Sequence, residues 1–156
     1  MKDEKETLRK TDESIHVMES FDPAILSDVP APVVSLYIPV HHSEREERRD
    51  IWDRDMFKDL MKDAERTLAE SYGKDAYKGI LEKADYLLAH PDMPLWLHAG
   101  EGLGFLMGND DVYVYNLFFA PDPMVAAGDT YFVKPLLRNF QYGTEYYILE
   151  LGNDRF

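Results

Sequence analysis

Between Pro32 and Pro39 the chain reads Val33-Val34-Ser35-Leu36-Tyr37-Ile38, with Val40 just beyond, and large apolar side chains stand at positions of both parities. Successive side chains of a strand point to opposite faces, so a strand with this content must be covered on both sides. Its β-branched and aromatic residues favour strand over helix. Pro30 and Pro32 before the run and Pro39 near its end lack the amide that a ladder needs, which bounds the strand. The first expectation is therefore a sheet with helices or other chain over both sides of this strand.

The flanking segments supply the cover. Residues 44–71 carry the longest helical pattern: Trp52, Met56, Phe57, Leu60, Met61, Ala64 and Leu68 fall on one half of the circumference, and Arg54, Lys58, Lys62 and Arg66 on the other. A second helix is expected from Asp75 to Ala89, with Tyr77, Ile80, Leu81, Ala84, Leu87 and Leu88 repeating at three and four, stopped by His90-Pro91. Residues 3–20 read as an opening helix, ended by Asp22-Pro23. Leu103–Met107 and Val112–Leu117 flank Gly108-Asn109-Asp110-Asp111, which predicts a hairpin. A short strand at Met124–Ala127, a turn at Gly128-Asp129 and a short helix over Lys134–Phe140, with Pro135 in its first turn, complete this region. Glu145–Leu151 reads as a final strand.

These elements predict an α+β fold, a mixed β-sheet packed with helices, in the order helix, strand, helix, helix, hairpin, short strand, short helix, strand. Two helices between the first strand and the hairpin leave room for a crossover. The expected core holds Val34, Leu36, Ile38, Phe57, Leu60, Leu68, Leu81, Leu88, Phe105, Val114, Leu137 and Ile148. Residues 1–144 are read as an N-terminal α+β domain. A strand, a turn at Gly152-Asn153-Asp154 and two further residues make half a hairpin, so residues 145–156 are read as the first strand of a following domain.

Charge narrows the function classes. Seventeen Lys and Arg against thirty Asp and Glu give a net charge of -13, so a direct grip on RNA or on an anionic membrane by this domain works against its own field. With no Cys among the 156 residues, thiolate nucleophiles, disulfides and Cys-ligated metals are excluded. No apolar run reaches the roughly 20 residues of a membrane span, and the start of the chain has no signal-type stretch. A soluble, cytoplasmic protein is expected.

Candidate chemistry is sparse. His41-His42 follows the first strand and could meet His98, which makes these three the metal candidates; adjacent histidines point apart, so a solvated role is the competing expectation. Gly100, Gly102, Gly104 and Gly108 run into a hairpin, not into the helix that a phosphate cradle needs, and their expected use is a positive φ or a bulge at the strand entry. Ser35 has no activating context, and no carboxylate pair is set apart by apolar surroundings. Arg54, Lys58, Lys62 and Arg66 are the candidates for phosphate or partner contact, although each has an acid within a turn, as do Arg45, Arg48 and Arg49. No catalytic or cofactor-binding residue is assigned, and no cofactor is expected.

Four segments carry a family resemblance. Pro32–His41 resembles the opening "P-x-V-S-Φ-Y-Φ-P-x-H" strand, Φ being apolar, of bacterial relatives of the archaeo-eukaryotic peptide-chain release factors. In the same order, Gly102–Leu106 resembles that family's "G-L-x-Φ-Φ" strand, Gly128–Leu137 its "G-D-x-F-x-x-K-P-L-L" segment, and Tyr146–Phe156 the start of its RNase H-like middle domain. The release factors read stop codons with NIKS and trigger release with GGQ, and neither motif occurs here. The resemblance implies a noncatalytic N-terminal domain of a release factor-like protein, meeting the ribosome or translation machinery through the full-length protein. A protein-interaction or oligomerisation module unrelated to translation is the alternative.

Overall fold

A computed structural model of the chain describes residues 13–27, 29–40, 46–97 and 100–144. Five strands form one mixed sheet: β1 Ile15–Met18, β2 Val33–Pro39, β3 Gly102–Met107, β4 Val112–Leu117 and β5 Met124–Gly128, in the spatial order β1-β4-β3-β2-β5. Four helices accompany them: α1 Glu46–Ser71, α2 Lys78–Ala89, the single turn α3 Pro94–Leu97, and α4 Lys134–Thr144. The fold is α+β.

The oily run Val33–Pro39 is buried along its length because it lies between two neighbours and under two layers. It pairs antiparallel with β3 on one side and with β5 on the other, and the Ala31–Pro32 peptide that leads into it is cis. Val34, Leu36 and Ile38 face α1, α2 and α3, with Phe105, Met107, Val112 and Val114 from the neighbouring strands. Tyr37 faces the other way, into a smaller cluster with Leu106, Tyr115, Leu117 and Leu136, closed by Phe21, Ile25, Tyr131, Val133 and Phe140. Both faces are thus covered, as the alternation requires.

On the larger face Phe57 of α1 meets Phe105 at 4.8 Å and Trp96 edge-on at 5.7 Å between ring centroids. Burying a side chain such as Phe57 or Phe105 contributes about 1.5–3 kcal/mol, and edge-to-face contact adds roughly 0.5–1.5. Trp96 Nε1 donates to Leu87 O at 3.0 Å, which ties the α3 turn to the end of α2. The sequence reading had no element at α3.

The structure corrects several expectations. Ile15–Met18, placed in an opening helix, is a strand that pairs parallel with β4 from Ile15↔Val112 to Met18↔Tyr115. The outer edge of β4 needs hydrogen-bond partners, and that tertiary demand outweighs the local helical pattern. This parallel pair, not a crossover between β2 and β3, makes the sheet mixed. Trp52, assigned to the apolar face of α1, is 53% exposed, and Asp53 is buried in its place. The stripe that packs on the sheet is Asp53, Phe57, Met61, Ala64 and Leu68, and Trp52 lies roughly 140° from Phe57 at 3.6 residues per turn.

No described glycine has a positive φ, and the β3–β4 register runs unbroken from Gly102↔Leu117 to Met107↔Val112. The glycine-rich entry therefore provides neither a positive φ nor a bulge; Gly102 and Gly104 serve close packing. In the short helix Leu136, not Leu137, is the fully buried residue. Leu60, Leu81 and Leu88 sit half-buried at the rim of the core. Residues 3–12 of the expected opening helix, Ile148 and the expected strand at 145–151 lie outside the described residues.

Candidate functional site

Three of the four segments with family resemblance, Pro32–Val40, Gly102–Leu106 and Gly128–Leu137, contribute residues to the smaller face of the sheet; the fourth, Tyr146–Phe156, lies outside the described residues. Ser35 and Tyr37 stand two residues apart on β2 and share that face. Ser35 Oγ accepts from the amide of Phe132 at 2.8 Å, and Tyr37 Oη donates to the carbonyl of the same residue. Gly104, opposite Tyr37 in the β2–β3 register, leaves room for the ring: a Cβ there would stand 2.9 Å from Tyr37 Cε1 and 3.4 Å from Leu136 Cδ2. Burial, and then the neighbouring Tyr115 phenol, push the ionisation of Tyr37 far above its ordinary range. The neutral phenol and the serine hydroxyl together hold the backbone of Phe132 in place.

A second arrangement surrounds the β3–β4 turn. Gly108 N donates to Asp111 O at 2.8 Å and closes the turn. Asn109 then reaches out to α2: its Oδ1 accepts from Ile80 N at 3.1 Å, and its Nδ2 donates to Ala76 O at 2.7 Å. A side chain 29 residues away thereby caps an amide in the first turn of α2, where no residue of the helix's own N-terminus does so. Lys83 Nζ donates to the Asn109 carbonyl and fixes the same turn from the α2 side. On β1, His16 Nε2 lies 3.0 Å from Asp111 Oδ1, and its ring stacks on Tyr113 at 5.2 Å.

These contacts hold open a cleft of about 260 Å³ between the 3-10 turn Pro23–Leu26 and the β3–β4 turn. Ser27, Asn109, Asp110, Asp111, Tyr113 and Tyr131 are its polar lining. Desolvation, and then the Asp111 carboxylate, raise the ionisation of Tyr113; burial, with Tyr113, Asp111 and Tyr115 behind it, raises that of Tyr131 more strongly. The phenols are neutral hydrogen-bonding groups at any physiological pH. Tyr115, on the same face of β4 as Tyr113, is fully buried, and its Oη has no hydrogen-bond partner among the described residues.

The candidates read from the sequence lie elsewhere. Arg54, Lys58, Lys62 and Arg66 all sit on α1, across the sheet from the cleft. Lys58, Lys62 and Arg66 are exposed, Arg54 is half-buried, and Arg66 Nη1 lies 3.5 Å from Asp63 Oδ1. Such an exposed i,i+3 pair belongs to a solvated helix face. His41, His42 and His98, with the side chains of Arg45, Arg48 and Arg49, lie outside the described residues. Among the described residues no three His, Cys, Asp or Glu side chains gather as a metal site requires. The same residues contain no helix long and apolar enough to cross a membrane.

Sequence reasoning missed the His16–Asp111 pair and the buried Asp53. The first depends on a contact 95 residues apart and left no local signal. The second had one: Asp53 stands four residues before Phe57, on the stripe that Phe57, Met61 and Leu68 define. No protein-family model and no curated protein matches the chain.

Proposed function

We propose that this chain is the noncatalytic N-terminal domain of a release factor-like translation protein, and that it meets the ribosome or translation machinery through the full-length protein. The observation that supports the reading is that three resembling segments, Pro32–Val40, Gly102–Leu106 and Gly128–Leu137, meet around Tyr37. Ser35, Tyr37, Gly104 and Leu136, each inside one of those segments, all take part in one contact set. A resemblance confined to scattered coincidences has no reason to fall on residues that touch one another. The net charge of -13 supports a reading in which this domain does not itself grip RNA. The test is co-sedimentation of the full-length protein with ribosomes across a salt series. Retention in a ribosomal fraction supports the reading, and absence from every fraction at every salt concentration rejects it.

One observation favours the alternative, a protein-interaction or oligomerisation module. Phe118, just past β4, is 76% exposed, and Val17 on the edge strand β1 is 54% exposed. Exposed large apolar groups near the edge strand of the described sheet are ordinary docking material. A chain that stays monomeric and retrieves no protein partner in a pull-down rejects that reading.

A further inference from the structure

We draw no further inference here: the strongest candidate, the uncharged strand β5 Met124–Gly128 at one edge of the described sheet, pairs only with β2 among the described residues, and nothing in the structure shows what covers its outer side.

Discussion

Ser35 Oγ accepts a hydrogen bond from the amide of Phe132, 2.8 Å away and 97 residues further along the chain. Two residues on from Ser35, Tyr37 donates to the carbonyl of the same Phe132. Side chains of the central region of β2 therefore satisfy both polar groups of a residue that has no strand to pair with. This double hold fixes the passage from β5 to α4 over the smaller face, where the half-buried amide and carbonyl would otherwise lack a protein partner.

Removing either hold should lower stability in a coupled way. Ser35→Ala leaves the Phe132 amide without its acceptor and is expected to cost about 1–3 kcal/mol; Tyr37→Phe leaves the carbonyl and is expected to cost about 1. Urea unfolding of both single variants and the double variant measures this. The double variant should lose less than the sum, because both bonds restrain one residue. Strict additivity would mean that the two bonds act independently.

Glycine at two positions of β3 should be required to different degrees. A Cβ at Gly102 would meet Pro121 Cδ at 2.4 Å and Phe119 O at 2.7 Å, so a proline ring and a backbone carbonyl would both have to move. At Gly104 the nearest atoms belong to the Tyr37 ring, which can shift as a side chain. Overpacking costs about 1–3 kcal/mol in general, and Gly102→Ala is expected at or beyond the upper end with Gly104→Ala below it. Thermal unfolding ranks the pair, and the reverse order would contradict the packing account.

Asn109 should matter to α2 although it lies outside it. Asn109→Ala removes the acceptor for Ile80 N and the donor to Ala76 O, with an expected loss of about 1–2 kcal/mol. Amide hydrogen exchange localises the effect: Ile80 should lose protection, while amides of β2 and β3 should change only by the global loss. Unaltered exchange at Ile80 would remove the cap from the account.

Alkaline pH should unfold the protein by a defined route. Tyr37, Tyr115 and Tyr131 all have ionisation raised above 10 by burial first and by neighbouring phenols second, and for Tyr115 and Tyr131 also by nearby carboxylates. A raised folded pKa means that the folded state keeps protons which the unfolded chain releases near pH 10. The stabilisation is complete below about pH 10 and falls as pH rises beyond it, by up to about 1.4 kcal/mol per pH unit for each such tyrosine. Urea midpoints between neutral pH and strong alkali should stay level and then drop. Tyr131→Phe should flatten that drop, and an unchanged slope would show that Tyr131 ionises equally in both states.

Much of the architecture was legible because it rests on periodicity. The alternation-free run at Val33–Val40 demanded cover on both faces, and it has it. The half-polar helix at Glu46–Ser71 and the turn residues at Gly108–Asp111 each specify local geometry through side-chain direction and turn chemistry. The candidate cleft was not legible. Its walls come from the Pro23–Leu26 turn, the β3–β4 turn, β4 and the segment after β5, and no local pattern announces that Tyr131 will face Tyr113. Trp52 and Asp53 show the same limit within one helix: hydrophobicity placed the indole inward, while the rotation that seats Phe57 against Phe105 turned the carboxylate inward instead.

The amino-acid sequence by itself determined the α+β class, the two-sided burial of β2, the extents of α1 and the hairpin, and the net charge of -13. These follow from side-chain type and spacing, which act over a few residues. Only the tertiary structure decided that Ile15–Met18 is a strand, that the glycines of β3 serve close packing, that Phe132 is held by Ser35 and Tyr37, and that His16 meets Asp111 beside the cleft. Each of these depends on backbone or side-chain groups brought together from distant parts of the chain. The energy of such a contact exists only once the sheet order β1-β4-β3-β2-β5 has formed.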